Sequence, residues 1–249
     1  MDRLKNKTAI VTGAANGIGR AIAEAFGQEG AHVVLVDLDE EAGREGAKYI
    51  QERSGSATFV RCDVSNESDV KKAVDVALEQ SGRIDVLCNN AAYIADWHNV
   101  IEASDEEWDR SYRVTLRGAS LFMKHVLPSM AGRKSGSVIN ISSVQGMVAA
   151  RQSAAYTSIK HGLIGLTRNA AYDFGPSNVR VNAICPGAIS VRYSPAVGTE
   201  LHARQIGKTF LGRVGEPREV AGAAVFLASE ESSYVTGAVL PVDGGWTSM

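Results

Sequence analysis

The chain has 249 residues, 45% of them hydrophobic, enough to bury one sizeable core and ordinary for a single α/β domain. Lysine and arginine number 26 against 28 aspartates and glutamates, a net charge of −2 with no long run of one sign. That balance argues against nucleic acid or an anionic membrane as partner and leaves small molecules and copies of the chain itself.

Taken in chain order, short β-branched runs recur at 8–12 (TAIVT), 32–37 (HVVLVD), 57–63 (ATFVRCD), 84–90 (IDVLCNN), 137–142 (SVINIS), 179–185 (VRVNAIC) and 238–243 (AVLPVD). Between them lie amphipathic stretches of helical length, at 17–29, 67–80, 105–131, 153–174 and 217–229. Ser104 and Glu107 have the spacing of a capping box, and Pro217 suits a first helical turn. The alternation predicts an α/β fold: one domain spanning 1–249, a doubly wound, Rossmann-like parallel sheet with helices on both faces. The segment 186–212 has no clear periodicity and follows a strand's carboxyl end, which suggests a substrate lid. No run approaches the ~18 apolar residues of a membrane span. The basic start MDRLKNK is followed by too short an apolar run for a secretory leader.

Cys62, Cys88 and Cys185 each sit near the end of an apolar run without C-x-x-C spacing, so they read as buried free thiols. The histidines at 32, 98, 125, 161 and 202 are scattered, and no catalytic metal is expected. These features fit a reducing, cytoplasmic compartment.

The first strand runs into TGAANGIG (12–19) and then into a helix. Gly13, Gly17 and Gly19 permit a tight turn and close backbone approach, and the helix N-terminus favours a pyrophosphate. The second strand ends in Asp37, near the spacing expected of a carboxylate that binds adenosine ribose hydroxyls. A 2′-phosphate would meet that charge, and neither Asn16, Leu38 nor Asp39 offers a cation, so the expected cofactor is NAD rather than NADP. In AYTSIK (155–160), Tyr156 and Lys160 share one helical face, an arrangement commonplace by itself.

These segments together resemble the short-chain dehydrogenase/reductase family over nearly the whole chain. The glycine loop has that family's T-G-x-x-x-G-x-G spacing, followed by CDV (62–64), NNAA (89–92), NISS (140–143), YTSIK (156–160), NAICPG (182–187) and VDGG (242–245). The resemblance implies a cofactor site that also takes in Ile18, Asp63, Val64, Asn89, Ala91, Pro186, Gly187 and Ile189. It further implies that Ser143 steadies a substrate oxygen, Tyr156 transfers the proton, Lys160 holds the nicotinamide ribose, and the chain forms a homotetramer.

The chemistry is consistent with those roles. Hydride leaving an alcohol carbon requires loss of the hydroxyl proton, and a phenol serves as base if adjacent cations, Lys160 and an oxidised nicotinamide, lower its pKa. Three positions depart from the family pattern: Thr115, counted with the catalytic candidates, stands for the asparagine that in the family fixes a helix kink and a water leading protons to the lysine, Val191 stands for threonine and Ala92 for glycine. Residues beside the motifs supply substrate candidates, namely Tyr93, Trp97, His98, Gln145, Arg151, Arg192 and Tyr193. Their polarity favours a sugar or polyol oxidised by NAD. Two alternatives stay open: a 3-oxoacyl thioester reductase, and a catalytically weak dinucleotide-binding sensor or scaffold.

Overall fold

The computed structural model describes residues 2–94, 97–192 and 194–248. Strands β1 (Thr8–Thr12), β2 (His32–Asp37), β3 (Ser56–Arg61), β4 (Val86–Asn89), β5 (Gly136–Ile141), β6 (Val179–Pro186) and β7 (Val239–Val242) form one sheet. Its order is β3-β2-β1-β4-β5-β6-β7. Every pairing is parallel.

The apolar runs lack polar alternation because both faces of the sheet are covered. Ala9 and Val11 pack into one core with Ile22 and Phe26 of α1 (Gly17–Gln28), Ile50 of α2 (Glu40–Gln51) and Val220 of α8 (Pro217–Ala228). Ile10, between them, points into the opposite core with Val70 of α3 (Glu67–Ser81), Phe122 of α5 (Gly118–Arg133) and Ala170 of α6 (Ala154–Phe174). The same alternation holds along β2, where Val33 and Leu35 face the first core and Val34 and Val36 the second. Cys62, Cys88 and Cys185 are buried and free. Burial pushes the Cys62 thiol up to about 12.

Two expectations need correction. The stretch 105–131 is not one helix: α4 (Asp105–Ser111) gives way to a π-helical turn, Tyr112–Arg117, before α5. One added residue per turn is invisible to a 3.6-residue pattern. The capping box is half made. The Ser104 hydroxyl accepts from the Glu107 N–H at 3.2 Å, but the Glu107 carboxylate turns away to His98, with Nδ1 and Oε2 2.8 Å apart. The aperiodic segment contains a short helix, α7 (Glu200–Ile206), started by Thr199, whose side chain accepts from the His202 N–H. Among the described residues no helix is long and apolar enough to cross a membrane.

Candidate active site

The chain leaves β1, visits β2 and β3, and returns to the other side of β1 as β4. At such a reversal the loops beyond the strand ends splay apart and open a crevice. The glycine loop lies there. Gly13 and Gly17 have φ of 63° and 58°, in the left-handed region. A Cβ on Gly19 would stand 2.1 Å from the Gly13 carbonyl oxygen, so only glycine lets α1 begin so close to the strand. Asn16 starts α1 in extended conformation without a side-chain cap, which leaves the first helical amides facing outward, a cradle fit for a pyrophosphate.

Asp37 braces this loop and presents its carboxylate beside it. One oxygen accepts from the Ala15 N–H at 2.9 Å and the other from the Asp39 N–H at 3.1 Å. No lysine or arginine pairs with it among the described residues. From β4, Asn90 holds the loop: its side-chain amide donates to the carbonyls of Thr12 and Gly13 at 2.9 and 3.0 Å. The Thr12 hydroxyl in turn accepts from the N–H groups of Asn90 and Ala91. Neither Asn90 nor Thr12 was singled out in the sequence, although both lie inside quoted motifs.

Asn89 points elsewhere. It donates across the sheet to Asn140 at 2.9 Å, and Asn140 donates to Thr167 of α6 at 2.9 Å. This buried chain of amides clamps α6 to β5, as do two further bonds. The Ser142 hydroxyl donates to the Lys160 carbonyl at 3.0 Å, and the Lys160 ammonium donates to the Ile141 carbonyl at 2.8 Å. Gly146 allows the tight fit, since a Cβ there would lie 2.4 Å from the Ser142 hydroxyl. Ser143 lies two residues beyond β5 and caps the turn Val144–Gly146, its hydroxyl accepting from the Gln145 N–H at 3.1 Å.

Tyr156 and Lys160 therefore arrive on one face of α6, opposite Ser143. The Lys160 ammonium is 5.6 Å from the Tyr156 ring centroid. Lys160 is 2% exposed, and burial lowers its pKa from 10.5 to about 8. The anticipated lowering of the Tyr156 pKa is absent in the chain alone. Burial raises it above the ordinary phenol value, and a hydrogen bond with Ser143 opposes the rise only in part. The tyrosine is a neutral acid at pH 7 until further positive charge enters the site.

Thr115 lies in the π-helical turn, 3% exposed, and its hydroxyl accepts from the Tyr93 N–H at 3.1 Å. The Tyr93 ring lies 4.4 Å from the Arg110 guanidinium. Trp97 stands edge-on to Tyr156, with centroids 6.1 Å apart. The Gln145 carbonyl oxygen accepts from the hydroxyls of Ser153 and Thr157, and among the described residues its NH2 makes no hydrogen bond. Arg151 and Arg192 are exposed, and Tyr193 lies outside the described residues.

The other residues expected at the cofactor lie at or just beyond the carboxyl ends of β2, β3 and β6. Leu38 is 55% exposed beyond β2, and Asp63 is held by the Ser65 N–H at 2.8 Å. Val64 packs where Gly118 approaches, and a Cβ on that glycine would be 3.0 Å away. Pro186 closes β6, and the Gly187 N–H donates to Val242 at 3.0 Å. The Ile189 carbonyl accepts from Ser194, whose hydroxyl in turn accepts from the Val191 N–H. Val191 packs over the glycine loop, 3.3 Å from where a Gly17 Cβ would sit. Among the described residues no group of three or more histidines, cysteines or acids is placed to hold a metal.

A family model described as Enoyl-(Acyl carrier protein) reductase matches residues 13–247. Cyclopentanol dehydrogenase of Comamonas sp. (strain NCIMB 9872) is 38% identical over 253 residues, covering 100% of both chains. Trans-4-hydroxycyclohexanecarboxylate dehydrogenase of Sinomonas cyclohexanicum is 39% identical, covering 99% of this chain and 95% of that protein. The solved structure of levodione reductase superposes with a TM-score of 0.95 at 32% identity, covering 99% of each chain. Full-length likeness in sequence and fold, with the glycine loop and the Ser143, Tyr156 and Lys160 cluster in one crevice, places the chain in the short-chain dehydrogenase/reductase family, nicotinamide-dependent oxidoreductases of alcohol and ketone groups.

Proposed function

We propose that the protein is an NAD-dependent dehydrogenase of compact secondary alcohols carried on a ring, with Tyr156 moving the hydroxyl proton. The observation that carries this reading is the meeting of Ser143, Tyr156 and Lys160 at the carboxyl end of β5, beside the glycine loop. The α1 amides and Gly13, Gly17 and Gly19 would hold the pyrophosphate, Asp37 the adenosine ribose, Asp63 and Val64 the adenine end, and Lys160 the nicotinamide ribose. Pro186, Gly187 and Ile189 would wall the nicotinamide. When bound, the dinucleotide supplies hydride acceptance or donation and, in its oxidised form, positive charge.

The chain's own groups do the rest. Ser143 donates to the substrate oxygen and fixes it against Tyr156. Tyr156 accepts the proton during oxidation and returns it during reduction, and Lys160 stabilises the phenolate. Because burial raises the Tyr156 pKa above the ordinary phenol value, the phenolate fraction, and with it alcohol oxidation, should keep rising from pH 7 to pH 10, while carbonyl reduction, which uses the phenol, should hold steady over that range.

Two kinds of support favour ring-bearing alcohols. The named relatives act on cyclopentanol and on a hydroxycyclohexane carboxylate. The indole of Trp97, 55% exposed, stands against Tyr156, and the Gln145 NH2, without a hydrogen bond among the described residues, offers one donor to a substituent. Cyclic sugars and cyclic polyols are the more hydroxylated members of the same class, and open-chain polyols fall outside it. Reduction of a 3-oxoacyl thioester with NADPH is disfavoured because Asp37 would repel a 2′-phosphate. A panel of cyclic alcohols, sugars, polyols, open-chain secondary alcohols and 3-hydroxyacyl thioesters, read by NADH or NADPH absorbance with NAD and NADP in parallel, tests the proposal. Activity on cyclic alcohols with NAD is expected. Preference for NADP, or turnover of acyl thioesters alone, overturns it.

A further inference from the structure

The connection from β4 to α4 is pinned at points along its length. Asn90 and Ala91 are tied to Thr12, and the Tyr93 N–H to Thr115. The His98 carbonyl accepts from the Ala154 N–H at 3.1 Å, at the start of the helix that carries Tyr156. The His98 imidazole is bound by Glu107, whose carboxylate is 8% exposed and makes no other side-chain hydrogen bond among the described residues. A glutamate at the third position of a helix beginning with a serine cap ordinarily returns to the cap's N–H. Glu107 gives up that bond and keeps a carboxylate largely out of water, a costly placement without a partner. The residue before His98, Trp97, stands edge-on to Tyr156 with 55% of its surface open.

We propose that Trp97 is the specificity-determining wall against which the substrate's ring lies, and that Glu107 is the positioning residue that holds this wall through His98. The inference rests on the function proposed above and names the recognition device: a broad, rigid apolar face beside the acid–base tyrosine. A saturated ring has few conformers to lose and covers such a face at little entropic cost, whereas an open chain of the same carbon count must first be ordered.

The test compares kcat and KM for cyclohexanol and 2-hexanol in wild type, Trp97→Ala, Glu107→Ala and Glu107→Gln, with NAD affinity and melting temperature as controls. Trp97→Ala should raise KM for cyclohexanol at least tenfold and that for 2-hexanol less than threefold, with NAD affinity within twofold of wild type. Glu107→Ala should show the same split in KM. Glu107→Gln should stay near wild type, because its amide oxygen still accepts from the imidazole N–H. Saturation-transfer NMR gives a readout independent of turnover: cyclohexanol protons should receive saturation from wild type and lose most of it in Trp97→Ala.

Equal losses for cyclic and open-chain alcohols, or a Glu107→Ala protein with wild-type selectivity, overturn the inference and leave the proposed function standing. Absence of turnover of every panel alcohol by wild type refutes the proposed function instead. The NMR comparison then decides the wall alone, and unchanged saturation transfer in Trp97→Ala refutes it.

Discussion

Replacing Lys160 with methionine should make the protein more stable and much less active. Lys160 is 2% exposed, and among the described residues its ammonium makes one hydrogen bond, to the Ile141 carbonyl. Burial lowers its pKa from 10.5 to about 8, so keeping it charged at pH 7 costs about 3 kcal/mol. Methionine fills a similar volume without charge, but leaves the Ile141 carbonyl unpaired at a cost of about 1–3 kcal/mol. The net expectation is a gain of about 1 kcal/mol, or roughly 2–4 °C in melting temperature for a chain of this size.

The pH dependence sharpens the test. Between pH 8 and 10.5 the unfolded chain holds the lysine proton while the folded chain releases it, so wild-type stability rises through that window. The variant lacks this rise, and its advantage should shrink from pH 7 to pH 10. Tyr156, whose pKa is raised from 10.0, acts in the opposite sense only above that pH. Urea unfolding at pH 7, 9 and 10 without cofactor reads the effect directly. A variant less stable than wild type at pH 7, or a gap that does not change with pH, refutes the reasoning.

Asp37→Ala should narrow the preference for NAD over NADP, chiefly by improving NADP binding, and equal wild-type affinities measured by titration would contradict the reading of that carboxylate. Thr115→Val should destabilise the chain by about 1 kcal/mol because it removes the acceptor of the half-buried Tyr93 N–H, whereas Thr115→Asn supplies another acceptor and should change turnover by less than about tenfold. A hundredfold gain in the asparagine form at unchanged melting temperature would mark the native site as impaired. The chain should sediment as a homotetramer at micromolar concentration, and a monomer of 26.4 kDa alone would count against that expectation.

The sheet was legible because its central strands are buried on both faces, so a run such as HVVLVD carries its own signal, and β1 and β2 begin and end where the runs do. The glycine loop was legible because its backbone has few alternatives. Tyr156, Lys160 and Ser143 were legible only jointly, as positions that the doubly wound order brings to one edge. Other features were hidden for physical reasons. The π-helical turn at Thr115 adds a residue without disturbing composition. The division of labour between Asn89, which clamps β5, and Asn90, which holds the glycine loop, depends on which face each side chain takes as the strand ends. The raised Tyr156 pKa follows from burial, which sequence spacing does not report. The diversion of Glu107 from its helix cap to His98 requires a loop and a helix to meet, and nothing local announces it.

The central claim is that Tyr156 moves the proton for NAD-dependent oxidation of a ring-borne secondary alcohol. Initial rates of NADH formation from cyclopentanol, compared between wild type and Tyr156→Phe at saturating NAD, test it most directly. The phenylalanine form should retain the fold and NAD affinity while turnover falls by roughly 10²- to 10⁴-fold, the loss typical of a missing general acid or base. Turnover in the variant equal to that of wild type would contradict the account.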